Sequence, residues 1–199
     1  MSNDAIDSGR RNWIGIACGA SAVGAGFTAV PFVSSFAPSE RAKAAGAAVQ
    51  VDIGALKPGE MQTVEWRGKP VWILKRTPEQ LESLKKTEGQ VADPKSLRKP
   101  DELTPEYARN EHRSRKPEIL VAVGICSHLG CSPSAKLAAG AQPSLPDDWQ
   151  GGFFCPCHGS TFDLAGRVYK NKPAPDNLEV PPHMYLSDST LLIGEDKKA

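Results

Sequence analysis

The chain carries two related stretches, Cys126-Ser127-His128-Leu129-Gly130-Cys131 and Cys155-Pro156-Cys157-His158-Gly159-Ser160, which we call box 1 and box 2. Each box supplies two cysteines and one histidine, and 23 residues separate the two boxes. Four cysteines in so short a window indicate disulfides, a metal site, or both. Box 1 follows a continuous apolar run and box 2 follows a Gly-Phe-Phe segment, so we predict two loops at strand ends that face each other.

Three arrangements of these six side chains are worth comparing. A structural zinc ion takes four ligands and leaves two of the six unused. A 2Fe-2S cluster on four cysteines leaves both histidines without a role. In the third arrangement, one cysteine and one histidine from each box hold a 2Fe-2S cluster, and the other two cysteines form a disulfide. That ligand set, with two histidines in place of two cysteines on one iron, is typical of a Rieske centre.

The sequence around the boxes indicates short strands. The 199 residues include 18 glycines and 17 prolines, which favour turns over long helices. Alternating or continuous apolar runs predict strands at 49–53, 118–125, 152–154, 166–168, 178–180, 184–186 and 191–193. A hairpin over 63–74 with its turn at 67–70, a helix over 78–87 and a loop over 90–115 complete the prediction. The predicted fold class is all-β with antiparallel strands.

The amino-terminal part has a different character. Residues 13–36 contain no charged side chain, and as a helix these 24 residues extend about 36 Å, enough to cross a membrane. The segment is too long for the apolar region of a cleaved signal alone. Arg10 and Arg11 precede it and match a twin-arginine export signal. Cys18, inside the apolar segment, is expected to be a small packing residue.

These features predict four segments. Residues 1–12 are a cytoplasmic, twin-arginine-type amino terminus, and residues 13–36 form a transmembrane helix. Residues 37–49, rich in alanine, form a flexible hinge. Residues 50–199 form a periplasmic domain. The net charge of +1 gives no reason to expect a nucleic-acid partner.

With both boxes and the anchor in view, the chain resembles the Rieske iron–sulfur subunits of quinol–cytochrome c reductase (cytochrome bc) complexes. The segments 172–181 and 66–70 also match that family. The resemblance implies a Rieske-type antiparallel β sandwich with a small cluster-binding subdomain at about 121–178, plus one amino-terminal transmembrane helix. It also implies one 2Fe-2S cluster as the cofactor.

The resemblance assigns roles to individual residues. Cys126 and Cys155 would ligate one iron, and His128 and His158 the other. Cys131 and Cys157 would form the disulfide, and His158 would meet the quinol and accept its proton. The remaining implied site residues are four that tune the cluster and three in a proline loop: Leu129, Gly159, Ser160 and Phe162, then Pro173, Ala174 and Pro175.

Two positions depart from the family pattern. Phe162 stands where many members have a tyrosine, and Lys172 stands where the proline loop often begins with glycine. Residues 134–150, between the boxes, are predicted to be a surface insertion. His112 and His183 lie outside the boxes, and we expect them to be surface residues and not ligands.

The function implied is electron transport in a respiratory chain. The subunit would take one electron and a proton from quinol, pass the electron to a c-type cytochrome, and so contribute to proton translocation. Its partners would be the b-type and c-type cytochrome subunits of a dimeric complex in a bacterial inner membrane. Alternatives are a Rieske subunit of a molybdenum oxidase, an oxygenase ferredoxin, or a zinc-stabilised interaction module. Oxygenase ferredoxins generally lack the second cysteine of each box.

Overall fold

A computed structural model describes residues 8–99 and 102–196, and the predictions for residues 1–7 and 197–199 lie outside that range. The chain divides between residues 44 and 45 into two compact units. The amino-terminal unit contains α1 (Ser8–Ser35), which includes Pro31 and is long and apolar enough to cross a membrane. The helix begins five residues before the predicted segment, so Arg10 and Arg11 lie in its first turns.

The predicted hinge contains a short helix. α2 (Glu40–Ala45) begins after Ser39, whose hydroxyl accepts a hydrogen bond from the Ala42 N–H at 3.2 Å. An isolated helix of six residues is marginal in water. The flexibility of residues 37–49 therefore stays a prediction.

The carboxy-terminal unit is built of short antiparallel strands, as predicted. The strands are β1 (Val49–Asp52), β2 (Met61–Trp66), β3 (Lys69–Lys75), β4 (Ile119–Val123), β5 (Ser134–Lys136), β6 (Gly152–Cys155), β7 (Ser160–Asp163), β8 (His183–Tyr185) and β9 (Thr190–Ile193). They form three three-stranded sheets with the orders β1-β9-β8, β2-β3-β4 and β5-β6-β7. The helix α3 (Pro78–Thr87) and a 3-10 turn at Glu106–Ala108 lie between β3 and β4.

Local sequence explains the hairpin and α3. Arg67 and Gly68 both have positive φ, 52° and 71°, which suits the two-residue turn that joins β2 to β3. Thr77 caps α3: its hydroxyl accepts from the Gln80 N–H, and the Gln80 side chain accepts from the Thr77 N–H. Pro78 then occupies the first turn, where its missing N–H costs nothing.

The strands β3 and β4 are buried on both faces. Successive residues of β3 and β4 alternate between two hydrophobic cores. Val71 and Ile73 pack in the core that also holds Leu191 of β9. Trp72 and Leu74 pack in the core that also holds Phe153 of β6. Because neither face meets water, β4 reads as an unbroken apolar run in the sequence.

Two predicted strands are wrong and two were missed. Residues 166–168 form only an isolated bridge between Val168 and Phe162, and residues 178–180 form no strand. The missed strands β5 and β7 are three or four residues long and contain serine, so they lack an apolar pattern. They exist because β6 pairs with both of them. β5 and the buried Trp149 also show that the predicted insertion 134–150 is joined to the sheet at both ends.

Buried charged side chains connect the loops around the carboxyl end of β7. Asp163 and Arg167 form an ion pair at 2.7 Å, and each side chain is 1% exposed. Arg167 also donates to the Leu84 carbonyl of α3 at 2.9 Å. Arg113 is fully buried and donates to five groups: Ser96 Oγ, Thr104 Oγ1 and the carbonyls of Ala165, Gly166 and Leu178. Because these polar atoms are paired, their burial is tolerated and the loops have one arrangement.

His183 is buried, so its prediction as a surface residue is wrong. Its Nδ1 lies 2.8 Å from the Pro181 carbonyl, and its ring packs edge-on against Tyr107 with centroids 5.4 Å apart. Burial lowers the pKa of His183 to about 4, and the positive charge of Arg115 acts in the same direction. His183 is therefore neutral in the fold at pH 7. His183 is the first residue of β8, where it pairs with Ile193 of β9.

This burial predicts an acid-sensitive fold. The unfolded histidine titrates near 6.5 and the folded one near 4, so stability is complete above pH 6.5 and falls as the pH drops toward 4. We expect the His183 term to remove about 2 kcal/mol of unfolding free energy between pH 7.5 and pH 5. Denaturant titrations of the full chain in detergent measure it, with His183→Asn as a variant that does not titrate. Equal pH dependence in both proteins would contradict the prediction.

Candidate metal centre

Two stacked aromatic rings lie beside the chain where β4 leads into box 1. A side chain at Gly124 would lie 2.3 Å from the ring of Trp72, so only glycine fits at this position. Trp72 in turn stacks on Phe153 of β6, with ring centroids 4.7 Å apart. The sheet β2-β3-β4 and the sheet β5-β6-β7 therefore meet directly beneath the two boxes.

Each box is a closed loop. In box 1 the Cys126 N–H donates to the Cys131 carbonyl at 2.8 Å, and the Gly130 N–H donates to the Cys126 carbonyl at 3.1 Å. Box 2 is the hairpin loop between β6 and β7, in which Cys155 pairs with Ser160 and the Gly159 N–H donates to the Cys155 carbonyl at 3.0 Å. Gly159 has a φ of +74°, which other residues rarely adopt.

A disulfide joins the two boxes. The sulfur atoms of Cys131 and Cys157 are bonded, 26 residues apart in sequence. The sulfurs of Cys131, Cys155 and Cys157 all lie within 4.8 Å of one another. Because two of the three belong to the disulfide, Cys155 is the member of this group that can still bind a metal ion.

The four potential ligands outside the disulfide, two cysteines and two histidines, differ in burial. Cys126 and Cys155 are free thiols, 2% and 3% exposed. His128 is partly buried and His158 is exposed, and their rings meet at 88° with centroids 4.8 Å apart. Leu129, 71% exposed, adds an apolar side chain beside His128. The two thiols are therefore buried and the two imidazoles lie in contact with each other nearer the surface, and the assignment of these four side chains as ligands stays a prediction.

The thiols suit a cationic cofactor. Burial raises the pKa of the Cys126 thiol, and contact with Cys155 acts in the same direction. The polar groups of the His128 backbone and of the Ser160 side chain act on this pKa in the opposite direction. Two adjacent buried thiolates need positive charge beside them, which iron supplies. Two sulfur and two imidazole donors on facing loops are the donor set of a Rieske cluster.

The proline loop, Pro173–Pro175, lies against both boxes. The Ala174 N–H donates to Ser160 Oγ of box 2 at 3.0 Å. Asp176, directly after the loop, exchanges two hydrogen bonds with Ser127 of box 1: Ser127 Oγ donates to the Asp176 carbonyl at 2.6 Å and accepts from its N–H at 3.3 Å. Sequence reasoning missed Ser127 and Asp176, although the position of Ser127 inside box 1 was a signal.

The two residues that depart from the family pattern, and also His112, differ in burial. Phe162 is fully buried in the core that contains Cys126 and Cys155. Lys172 is exposed. His112 is partly buried, and its Nε2 lies 3.1 Å from the Glu111 carboxylate.

Comparison with known proteins agrees with this geometry. Residues 48–182 match the family described as "Rieske [2Fe-2S] domain", and residues 1–39 match "Ubiquitinol-cytochrome C reductase Fe-S subunit TAT signal". The ubiquinol-cytochrome c reductase iron-sulfur subunit of Allochromatium vinosum is 56% identical over 176 residues, 88% of this chain and 83% of the relative. The mitochondrial cytochrome b-c1 complex subunit Rieske of Candida albicans is 40% identical over 196 residues, 96% and 81% of the two chains.

These matches define the carboxy-terminal unit as a Rieske iron–sulfur domain, a class of protein that binds a 2Fe-2S cluster. The chain belongs to the family of ubiquinol-cytochrome c reductase iron–sulfur subunits. The amino-terminal match and the apolar helix α1 indicate a membrane anchor.

The burial of Phe162 beside the two thiols predicts how its departure from the family pattern acts. A tyrosine hydroxyl at this position enters the core that contains the sulfur atoms and can donate to one of them, which stabilises the more negative, reduced cluster. A differential bond of about 1 kcal/mol corresponds to about 40 mV for one electron. We expect Phe162→Tyr to raise the midpoint potential by some tens of millivolts.

Protein-film voltammetry measures this shift. Ser160→Ala is the opposite control, because it removes a buried hydroxyl that lowers the pKa of the Cys126 thiol and so favours its negative form; its loss should lower the potential. An unchanged or lower potential in Phe162→Tyr, with normal cluster content, would rule out the proposed effect of the phenylalanine.

Proposed function

We propose that this chain carries one electron from quinol to a c-type cytochrome in a membrane-bound quinol–cytochrome c reductase of a respiratory chain. The observation that supports it most is a pair of buried free cysteines in the same two loops as a pair of contacting histidine rings, in a chain of this family. In this proposal Cys126 and Cys155 ligate one iron, and His128 and His158 ligate the other.

The depth of the donors suits that role. When bound, a 2Fe-2S cluster with this ligand set supplies a one-electron acceptor of higher potential than an all-cysteine cluster. The buried cysteines keep water away from the sulfur side. The exposed ring of His158 is left as the contact for a quinol hydroxyl, whose proton it accepts at its outer ring nitrogen. Leu129 offers the quinol ring an apolar surface.

The partners follow from the same role. The b-type cytochrome subunit would hold the quinol site against His158, and the c-type cytochrome subunit would receive the electron, within a dimeric complex. The relatives of this chain are named as subunits of such reductases, which supports cytochrome partners.

The location proposed is a bacterial inner membrane, crossed once by α1. The amino terminus would be cytoplasmic and the Rieske domain, from residue 50 onward, periplasmic. A disulfide persists in an oxidising compartment, so the Cys131–Cys157 bond supports the periplasmic side. The match of residues 1–39 to an export signal supports the same orientation, with Arg10 and Arg11 as the signal residues.

Spectroscopy of the protein isolated from membranes tests the cofactor and its ligands. We expect visible absorption bands, a rhombic EPR signal after reduction, and haem b and haem c subunits that copurify with the chain. Cys126→Ser and Cys155→Ser should abolish the signal, because each removes a ligand. Cys18→Ser is the matched control and should retain it, since Cys18 lies in α1. A full EPR signal in Cys126→Ser would exclude the ligand assignment, and zinc without iron would exclude the redox function.

In this proposal the Rieske domain moves between the quinol site and the c-type cytochrome, and such motion requires a hinge between the anchor and the domain. Replacing residues 44–46 with prolines stiffens the predicted hinge, because proline fixes φ. We expect quinol–cytochrome c turnover to fall several-fold while the EPR signal stays unchanged. Serine at positions 44 and 45 is the control, since it keeps small side chains without the restriction. Equal turnover in all three proteins would argue against a moving domain.

A further inference from the structure

The proline loop has few backbone donors of its own. Proline has no N–H group, so between residues 173 and 176 only Ala174 and Asp176 can donate from the backbone. Both donate to serines of the boxes: Ala174 to Ser160 Oγ at 3.0 Å and Asp176 to Ser127 Oγ at 3.3 Å. The position of the loop therefore decides whether both serines keep their bonds.

A second segment holds the loop from the other side. We call residues 93–99 the clamp. Arg98 donates from its guanidinium to the Pro175 carbonyl at 2.9 Å. Lys99 Nζ lies 2.6 Å from Asp176 Oδ2, and the Asp176 side chain is only 9% exposed. The side chain of Asp176, which is nearly buried, thus has a positively charged partner from a segment 77 residues away.

The clamp is a defined turn. The Asp93 carboxylate accepts from the N–H groups of Leu97 and Arg98, both at 2.9 Å. Ser96 and Lys99 have positive φ, 53° and 46°, a left-handed conformation that is costly for residues with side chains. Contacts beyond the turn must stabilise this conformation. At Lys99 these contacts are the ion pair with Asp176 and the hydrogen bonds that its carbonyl accepts from the N–H groups of Glu102 and Leu103.

The core supports the clamp. Ser96 Oγ accepts from the buried Arg113 guanidinium at 2.7 Å. The Asn177 side chain, one residue after Asp176, donates to the Asp93 carbonyl at 2.9 Å and to Ser96 Oγ at 3.2 Å. One end of the clamp is therefore fixed to the core, and its other end reaches the proline loop through Arg98 and Lys99.

We infer that Lys99 is a positioning residue for the metal centre: through Asp176 it holds the proline loop where the Ala174 N–H keeps the Ser160 hydroxyl in place opposite Cys155. Ser160 Oγ accepts from Ala174, which leaves its own hydrogen free to donate to a sulfur atom of the metal centre. A donor to the sulfur favours the reduced cluster and raises the potential. This inference rests on the proposed function, because it assigns Lys99 a part in setting the potential.

Hydrogen exchange followed by mass spectrometry tests the positioning. A peptide of residues 172–176 reports only the amides of Ala174 and Asp176, since its first two residues retain no label, and these two amides are the ones that bond to the serines. We expect Lys99→Met to speed their exchange by about fivefold, the upper range for a partly exposed ion pair. Lys99→Arg should restore slow exchange. Lys95→Met, an exposed lysine of the same clamp, is the control and should match the wild type.

The expected change in exchange is confined to the proline loop. Exchange in β4 should be the same in every variant, since a loss of global stability would speed exchange there as well. Loop exchange in Lys99→Met that equals the wild type, or that rises equally in Lys95→Met, overturns the inference.

The midpoint potential separates position from charge. Lys99→Met alone removes a positive charge, which by itself lowers the potential. The double variant Lys99→Met with Asp176→Asn restores the net charge but leaves the loop without its ion pair. We expect a lower potential than the wild type in the double variant as well. A return to the wild-type potential in the double variant would show that only charge matters, and would overturn the inference.

The two readouts also separate this inference from the proposed function. The exchange experiment uses the full chain and does not depend on a bound cluster. A chain that never holds iron would defeat the proposed function and with it the assigned effect on potential, while loop exchange would still report whether Lys99 positions the loop.

Discussion

The Cys131–Cys157 disulfide joins two loops whose cysteines are 26 residues apart in the sequence. Closing a loop of that size costs the unfolded chain entropy, and the constraint contributes about 3–4 kcal/mol to the fold in the chain-entropy description. The site depends on this constraint more than on any single hydrogen bond. With the boxes joined, Cys126 and Cys155 lie in one buried core, and the rings of His128 and His158 pack against each other.

The sheets beneath the boxes make that arrangement rigid. The strands β3 and β4 are covered on both faces, and Trp72 of β3 stacks on Phe153 of β6. Buried charges then hold the loops that leave these sheets. Asp163 with Arg167, and Arg113 with its five acceptors, add little net stability, because their desolvation opposes the attraction. Their geometry requires specific carbonyls, so they select one arrangement of the surrounding loops.

The proline loop and the clamp likewise fix side chains, in this case at the surface of the site. Donors at the sulfur atoms have to be held in place, because a serine hydroxyl rotates freely unless its other bonds are fixed. Ala174 fixes Ser160, Asp176 fixes Ser127, and the clamp fixes the segment that carries both. The electronic properties of a metal centre in this fold therefore depend on residues distant in sequence, through contacts that contain no metal ligand.

The antiparallel β class and the apolar helix can be predicted from the sequence alone, and the two boxes predict a donor set by residue type and spacing. The signal for α1 is a run of 24 uncharged residues, and the signal for β4 is an unbroken apolar run. Each of these signals is local. The strands β5 and β7, the burial of His183 and the contacts of Ser127, Asp176 and Lys99 are seen only in the three-dimensional fold. The reason is physical: strands of three or four residues are defined by their partners, and burial and ion pairing depend on neighbours up to 77 residues away.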